Sequence, residues 1–378
     1  MSMTFDGLRV AYFTEWSPYR ENGVLKKLVG QVEAWRELGA DAQLFALAPS
    51  QEVPPAAGFG NVGSVHGRLS ERALRHWPSL RLGYVNKILS VHGIRRAIKE
   101  YRPDVLYYRQ QGPWYPGLES VIRLAPSVIE VNTDEFSETK LWHPRFASLF
   151  SATQARLFGK VSGIVAVTEE IASRWARFNR PIVVVPNSFW GDQPSSVATS
   201  GNDVARFVFV GSRLPPSGDW HGVDKILAFA RLVPNREVHV IGLSAADLDG
   251  SLLPSNVFPH GRQDVAGISR IFRSCDVGFG SMALHRTNLS DACPLKVRDY
   301  LMHRMPVVIA YREAEETLNR VPYVLRLPNE EGNLVAHADS VVRFGDQWCN
   351  RRIDADLSFM SRRSIEERRL EFLSRFVR

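Results

Sequence analysis

Short apolar runs alternate with helix-patterned segments along most of this 378-residue chain, in two successive series. The first series has strand-like runs at 8–14, 42–48, 104–109, 127–132, 163–168 and 182–187, with helical patterns at 24–38 and 169–178. The second has strand-like runs at 206–212, 237–242, 276–282, 307–309 and 323–328, with helical patterns at 222–233, 265–275 and 295–303. Apolar strands that alternate with helices predict a parallel sheet covered on both faces. The chain is therefore expected to form two α/β domains of similar size.

A segment rich in Ser, Gly and Pro follows Asn187 and has the composition of a linker. It divides the chain into an N-terminal domain at 1–187 and a C-terminal domain at 188–360. The remaining residues, 361–378, have the pattern of an amphipathic basic helix that we expect to pack back on the N-terminal domain. Because open parallel sheets bind ligands at the carboxyl ends of their strands, we expect the ligand site in a cleft between the domains.

The composition is that of a water-soluble globular protein, with 44% hydrophobic and 23% charged residues. No apolar run approaches the ~20 residues that a membrane span requires. The start of the chain carries an acid and an arginine where a signal peptide needs apolar residues, so we expect a cytoplasmic protein. Its three cysteines are scattered without a paired CxxC motif, which argues against a structural zinc site.

The net charge of +7 favours anionic partners. In residues 68–103, lysines and arginines far outnumber the two glutamates and are interleaved with apolar residues. Such a surface is typical of a protein that lies on an anionic membrane. The alternative is a solvated helix pair whose apolar residues face the core, and the sequence does not decide between the two.

The segment 290–309, SDACPLKVRDYLMHRMPVVI, is a helix leading into a buried strand. Ser290 and Asp291 are candidate caps, and Pro294 suits a first helical turn because it has no N–H to lose. An apolar face with i, i+3, i+4 spacing should pack inward, while Lys296 and Asp299 lie on another face. A lysine beside a helix N-terminus is a common way to bind phosphate. The alternative is a surface ion pair between Lys296 and Asp299.

Other candidate phosphate ligands follow strands. Gly211 and Arg213 come directly after a strand, and His221 lies in the segment DWHG that opens the next helix. Gly23 follows the first strand in a similar loop. The segment GFGNVG at 58–63 matches the dinucleotide-binding glycine pattern, but it follows a Pro-rich loop instead of a strand, so we reject that role.

The carboxylate candidates lie in EVNTDEFSE, residues 130–138, which has four acids in nine residues after a strand. Asp134 lies where a side chain would point into the expected cleft, and there it could accept a proton from an acceptor hydroxyl. The alternative is a polar loop that caps the next helix.

These motifs, taken in order, resemble one enzyme family over residues 8–310. The segments GVLKKLVGQVEAWRELGADAQLFAL, DVLYYR, VIEVN, GIVAVTEEIASRW and VVVPNSF are similar to the N-terminal half of the family 4 nucleotide-sugar glycosyltransferases. The segments FVFVGS, WHGVDKIL, EVHVIG and ACPLKVRDYLMHRMPVVI are similar to the C-terminal half. The resemblance implies the GT-B fold, in which two Rossmann-like domains face a cleft.

The resemblance also implies roles for single residues. In the family, two glutamates eight residues apart contact the donor sugar and the nucleotide ribose. Here both are aspartates, Asp291 and Asp299, which reach about one methylene less. Other residues match positions that surround the donor. The diphosphate is expected to be bound by the Pro294–Leu295 loop, Lys296, Arg213, Gly211, Gly23 and His221, and the base by Arg262 and Gln263. His221 stands where the family has a lysine.

The implied function is transfer of a sugar from a UDP- or GDP-linked donor to a hydroxyl of a glycan or lipid-linked acceptor in cell-surface polysaccharide synthesis. Such enzymes usually need no divalent metal and no other cofactor. The resemblance favours a retaining enzyme, with Asp291 at the reacting sugar. The arrangement around Asp134 also resembles the inverting glucuronosyltransferase of xanthan assembly, in which such an aspartate is the base. A basic nucleic-acid-binding α/β protein is a further alternative, but no RNA-binding signature supports it, and we expect no nucleic-acid partner.

Overall fold

The computed structural model describes residues 4–19, 22–51, 53–70, 72, 80–109, 114–136, 139, 147–191, 197–211, 219–249 and 253–377. They form two compact units. The first contains Met1–Gly191 and Met360–Arg378, and the second contains Asp192–Phe359. The chain thus returns to the first unit at its end, where the Phe189 N–H donates to the Met360 carbonyl at 3.0 Å.

The first unit is built on a parallel seven-stranded sheet. Its order is β3-β2-β1-β4-β5-β6-β7. The strands are β1 (Arg9–Thr14), β2 (Asp41–Leu47), β3 (Gly63–His66), β4 (Val105–Arg109), β5 (Ser127–Val131), β6 (Gly163–Ala166) and β7 (Ile182–Val184). The described helices are α1 (Gly23–Glu37), α2 (Ala57–Gly60), α3 (Leu80–Tyr101), α4 (Leu118–Ile122), α5 (Ala147–Phe158) and α6 (Glu169–Trp175), which a short 3-10 turn at Ala176–Phe178 extends.

The second unit repeats this architecture with a parallel six-stranded sheet of order β10-β9-β8-β11-β13-β15. Its strands are β8 (Phe207–Val210), β9 (Val238–Ile241), β10 (Val257–Gly261), β11 (Val277–Phe279), β13 (Val307–Ile309) and β15 (Val324–Arg326). A separate parallel pair joins β12 (Asp291–Ala292) to β14 (Arg312–Glu313). The helices are α7 (Val223–Leu232), α8 (Val265–Ser274), α9 (Leu295–Met302), α10 (Asn333–Ala336) and α11 (Ala338–Trp348).

The local sequence explains where several of these helices begin and end. Asn22 caps α1, because its Oδ1 accepts from the Leu25 N–H at 3.0 Å. Thr168 caps α6 in the same way. Gly39 ends α1 at a backbone φ of +97°, which only glycine adopts without strain. The expectation that Ser290 and Asp291 cap α9 is wrong, because Asp291 belongs to β12 and Pro294 occupies the N-cap position.

The last helix, α12 (Arg362–Ser374), is part of the core of the first unit. Its residues Ile365, Leu370, Phe372 and Leu373 are buried together with Trp35 of α1. Burying a side chain of that size stabilises the fold by about 1.5–3 kcal/mol. Glu366 and Arg369 are buried beside these apolar residues. Their burial is possible because the two charged side chains pair with each other.

The segment GFGNVG overlaps the four-residue helix α2 and ends at the first residue of β3. A glycine-rich loop that binds a dinucleotide would instead follow a strand and open a long helix. Its Gly63 packs against the Phe59 ring, because a Cβ there would lie 2.7 Å from that ring. These glycines therefore serve close packing in the first unit.

Candidate functional site

The switch point of the second sheet lies between β8 and β11. The chain leaves β8 towards β9 on one side and returns to β11 on the other. Open parallel sheets bind ligands outside the carboxyl ends of the strands at such a point. Gly211 directly follows β8 here. A Cβ at Gly211 would lie 2.7 Å from the Phe209 ring and 3.7 Å from the His221 ring, so glycine permits this close packing.

Lys296, in the first turn of α9, is buried at this edge with 8% of its surface exposed. Its Nζ lies 3.0 Å from Nδ1 of His221 and 4.0 Å from the centre of the Phe209 ring. The Trp220 ring centre is 5.8 Å away. Burial lowers the pKa of Lys296 well below its usual 10.5. Among the described residues, no carboxylate lies within ion-pair distance of this ammonium.

This environment rules out the surface ion pair between Lys296 and Asp299. Helical spacing places the two residues together, but the Lys296 side chain is directed into the unit, towards Phe209 and His221. An ionised group buried away from water is costly unless a counter-charge is supplied. The site therefore has the chemistry of a pocket that takes an anion.

His221 is held in place by a tight turn. It ends the 3-10 turn Asp219–His221, and Gly222 follows with a φ of +71°. A side chain at Gly222 would meet Met282, whose Cβ lies 2.9 Å from the position of an added Cβ. The Met282 N–H donates to the His221 carbonyl at 3.1 Å. This close approach fixes the imidazole, which is itself buried, against Lys296.

Arg286 joins this turn to its surroundings. Its guanidinium donates to the carboxylates of Asp219 at 2.7 Å and Asp224 at 2.7 and 3.0 Å, and it also pairs with Glu331. Asp219 begins the turn that carries His221, and Asp224 lies in the first turn of α7. The position of the turn thus depends on one arginine that the sequence alone did not single out.

The segment before α9 is fixed by the short pairing of β12 with β14. Asp291 lies in β12, and its Oδ2 is 3.8 Å from Nη1 of Arg312 across the ladder. The buried Arg298 of α9 donates to Glu313 at 2.8 Å and to the Cys293 sulfur at 2.8 Å. This buried pair ties α9 to β14 and so sets the course of Pro294 and Leu295. Sequence spacing gave no signal for Arg298, because its partner Glu313 lies on β14 and its partner Cys293 lies before the helix.

Tyr300, on the inward face of α9, links the two strands at the switch point. Its hydroxyl accepts from the Val210 N–H at 2.8 Å and donates to the Phe279 carbonyl at 3.2 Å. The predicted inward face of this helix, Val297, Tyr300 and Leu301, is confirmed, since all three are buried. Asp299, next to Tyr300 in the chain, is partly exposed.

The two residues expected to contact the base lie farther along the same edge. Arg262 and Gln263 follow β10, the edge strand, and both are exposed. The Gln263 side-chain amide donates to the His260 carbonyl at 2.7 Å. Two strand spacings, or about 10 Å, separate β10 from β8. The structure therefore brings together Gly211, His221 and Lys296, and places Arg262 and Gln263 at a distance from them. Arg213 lies outside the described residues.

In the first unit, Gly23 is the exposed first residue of α1. Asp134 follows β5 and is buried, with 4% of its surface exposed. Its carboxylate forms an ion pair with Arg174 of α6, which also pairs with Glu170 at 2.7 Å. The Asp134 side chain thus contacts α6, and its expected role at the acceptor hydroxyl stays a prediction.

The first unit contains a second polar cluster around Glu130 of β5. Its carboxylate accepts hydrogen bonds from Lys27 at 2.8 Å, Arg109 at 3.2 Å and Arg369 at 3.4 Å. Burial alone would raise the pKa of Glu130, but these three charges outweigh it and hold the pKa well below its usual range. The acid-rich segment that begins at Glu130 gives no sign that this carboxylate is buried.

In the described part of the chain, no group of three His, Cys, Asp or Glu side chains is arranged to hold a metal ion. No helix among the described residues is long and apolar enough to cross a membrane. Burial raises the pKa of the Cys275 thiol to about 12, so that cysteine is unreactive at neutral pH.

Solved structures of known proteins share this architecture. The chain superposes on WaaG, a glycosyltransferase involved in lipopolysaccharide biosynthesis, with a TM-score of 0.62, 10% identity and coverage of 96% of this chain and 99% of that one. It superposes on the trehalose-6-phosphate synthase OtsA with a TM-score of 0.63, 11% identity and coverage of 98% and 99%. A trehalose-6-phosphate protein from E. coli, bound with UDP-2-fluoro glucose, matches with a TM-score of 0.55, 11% identity and coverage of 97% and 95%.

At such low identity these likenesses define the fold, which is GT-B with two Rossmann-like domains. The expected fold class is thus confirmed. Residues 22–189 match the family model described as Glycosyltransferase Family 4, which confirms the resemblance noted in the sequence. The chain has the GT-B fold, and its residues 22–189 resemble glycosyltransferase family 4. A search of curated protein sequences found no match.

Proposed function

We propose that this enzyme transfers a sugar from a nucleotide-diphosphate donor, UDP- or GDP-linked, to a hydroxyl of a glycan or lipid-linked acceptor. The observation that carries the proposal is the buried ammonium of Lys296, which contacts His221 and has no carboxylate partner among the described residues. A donor diphosphate would supply the missing counter-charge. The known structures of this fold include one with a UDP-sugar analogue bound, which fits a nucleotide-sugar donor.

The chemistry follows from charge. When the bond between the anomeric carbon and the diphosphate breaks, negative charge develops on the leaving group. Lys296 would stabilise that charge, with the N-terminal end of α9 behind it. His221 would donate from Nε2, because the ammonium of Lys296 donates to its Nδ1. Protein charges alone could then neutralise the diphosphate, so we propose a metal-independent reaction without a further cofactor.

We further propose that Asp291 faces the donor sugar and Asp299 the ribose, as the family resemblance implies. A retaining reaction is favoured over the inverting alternative by the contacts of Asp134. A general base needs a lone pair directed at the acceptor hydroxyl. The Asp134 carboxylate is buried and engaged by Arg174, which leaves it poorly placed for that role.

We propose that the enzyme acts at the cytoplasmic face of a membrane, in the synthesis of a cell-surface polysaccharide. One face of α3 supports this. Val85 and Leu89 are exposed there, at 38% and 41%, and helical spacing places His92, Arg96 and Lys99 on the same side. We call these five residues the α3 face. Exposed apolar side chains with adjoining cations suit an anionic lipid surface. The part of 68–103 at residues 71 and 73–79 lies outside the described residues.

The test is transfer with a panel of UDP- and GDP-sugars in the presence of EDTA, with membrane lipid extract as acceptor. The proposal predicts that one donor is consumed and that sugar appears in the lipid fraction. Nuclear magnetic resonance of the product gives the anomeric configuration, which should equal that of the donor. Strict dependence on a divalent metal would contradict the metal-independent mechanism, and an inverted product would restore Asp134 as the candidate base.

A further inference from the structure

The cluster around Glu130 holds more positive than negative charge. Three cations, Lys27, Arg109 and Arg369, contact the Glu130 carboxylate. A second carboxylate, Glu366, pairs with Arg369 at 2.8 Å. Three cations therefore face two carboxylates among the described residues, which leaves an excess of one positive charge in a largely buried cluster.

The same cluster has more hydrogen-bond donors than acceptors. The Gln31 side-chain nitrogen and Nη2 of Arg369 are buried without an acceptor among the described residues, against one buried acceptor without a donor, Oε1 of Glu366. Burial, and after it the charges of Arg109 and Arg369, lower the pKa of Lys27 to about 8 against the opposing effect of Glu130. Both the charge and the donor excess indicate that an anion would be favourable here.

Arg109 is the member of the cluster that a ligand can reach. It is the last residue of β4, and 13% of its side chain is exposed, compared with 5% for Lys27 and none for Arg369. Within the described residues its guanidinium makes one hydrogen bond, to Glu130, which leaves further N–H groups for an acceptor.

The topology places Arg109 at the switch point of the first sheet. The chain leaves β1 towards β2 on one side and returns to β4 on the other. Ligands of open parallel sheets bind at that point, as argued for the second unit. Helix α1 begins at this edge with no acid in its first turn, and Lys26 and Lys27 follow. Cations near the positive end of a helix are unfavourable without an anion nearby.

We propose that Arg109, supported by Lys27, binds a phosphate or carboxylate group of the acceptor in the first unit. The inference rests on the proposed function, because it names the acceptor of that reaction as anionic. The planar guanidinium can bind such a group through two parallel hydrogen bonds. The anionic group could belong to a lipid-linked phosphate or to a soluble phosphorylated or acidic sugar.

The first test measures binding of inorganic phosphate and pyrophosphate by isothermal titration calorimetry. Lys296→Met serves as the background, so that the donor pocket does not contribute. In that background we expect Arg109→Gln to weaken phosphate binding at least tenfold, and Arg109→Lys to weaken it less. The matched control is Arg123→Gln, since Arg123 is 65% exposed in the same unit and should leave binding unchanged. Equal affinities for Arg109→Gln and the control would overturn the proposal.

The second test separates this inference from the proposed function. Arg109→Gln should keep the wild-type affinity for the nucleotide diphosphate, and should raise KM for a phosphorylated acceptor at least tenfold with little change for its dephosphorylated counterpart. Saturation by a water-soluble acceptor phosphate would assign the anion to the sugar; a requirement for the lipid would assign it to the lipid phosphate. A wild-type protein that binds no nucleotide would refute the donor function, whereas the phosphate titration would still decide the anion site. An equal rise in KM for both acceptors would overturn the assignment.

Discussion

Nζ of Lys296 lies 3.0 Å from Nδ1 of His221, and the two residues are 75 positions apart in the chain. One comes from the first turn of α9 and the other from the turn before α7. Both are buried at the carboxyl edge of the second sheet. This contact brings two separate sequence motifs together in a single cationic pocket, and the proposed donor site depends on it.

Replacing Lys296 with methionine should weaken nucleotide-diphosphate binding by about 10- to 150-fold. A hydrogen bond to a charged group contributes about 1.5–3 kcal/mol, and each 1.4 kcal/mol is a tenfold change in affinity. Calorimetric titration measures the change. Lys160→Met is the matched control, because Lys160 pairs with Glu119 in the first unit. If both variants bind the nucleotide as the wild type does, Lys296 has no role in the donor site.

Donor binding should take up a proton at Lys296. Burial holds its pKa well below 10.5 in the free protein, and a bound diphosphate would raise it. Between those two pKa values the free amine is neutral and the bound one is charged, so affinity should fall as pH rises through that window. Titrations should be made above about pH 7, where the second ionisation of the phosphate, with a pKa of about 6, is largely complete.

Calorimetry in buffers of different ionisation enthalpy reports this proton directly. The wild type should show net uptake, and Lys296→Met should show none. An affinity that does not change with pH, together with equal heats in all buffers, would mean that Lys296 does not change its protonation on binding.

Glu130→Gln should destabilise the protein by about 3–5 kcal/mol. Removing one partner of a buried ion pair leaves uncompensated charge, here that of Lys27, Arg109 and Arg369. Urea unfolding of the first unit measures the loss. The control is Glu100→Gln, whose side chain is 64% exposed and which pairs with Arg96, itself 82% exposed, so its effect should be below about 1 kcal/mol. Similar midpoints for both variants would contradict a structural role for Glu130.

The same carboxylate should make the wild type sensitive to acid. Its pKa is lowered in the folded protein relative to its ordinary value of 4.5. The stabilisation it provides is therefore fully present above the unfolded pKa and is lost as pH falls through the folded one. The difference in unfolding free energy between wild type and Glu130→Gln should shrink as pH drops below about 4.5. A difference that stays constant there would show that Glu130 is not ionised in the fold.

Leu89→Asp should reduce flotation of the protein with anionic vesicles. The substitution removes apolar contact and adds a negative charge on the α3 face, where each cation near the lipid surface contributes about 1 kcal/mol. Leu232→Asp is the control, since Leu232 is also an exposed helical leucine, at 53%, but lies in the second unit. Wild-type protein that fails to float at low salt would remove the membrane part of the proposal.

The order of strands and helices could be predicted because apolar periodicity records burial along a local segment. The inward face of α9 and the buried strand after it follow from that signal alone. The same signal cannot report a polar side chain that is buried against a distant partner. Lys296 was placed on another face, and its burial depends on Phe209 and His221.

The terminal helix shows the same limit more clearly. Its basic amphipathic sequence gives no sign that Arg369 reaches Glu130 across 239 positions, or that Glu366 accepts from the Trp35 indole at 2.9 Å. Charge composition describes the average surface of a helix, whereas these two side chains are buried because each finds a partner on another element. Such pairs become visible only in three dimensions.

If the Lys296 pocket binds a nucleotide diphosphate, thermal unfolding with UDP and GDP in the presence of EDTA should show it. A nucleotide at about 100 times its Kd should stabilise the protein by about 2.7 kcal/mol, which corresponds to several degrees in Tm. We expect that shift for one of the two nucleotides in the wild type and its loss in Lys296→Met. No shift with either nucleotide, or an undiminished shift in Lys296→Met, would contradict this expectation.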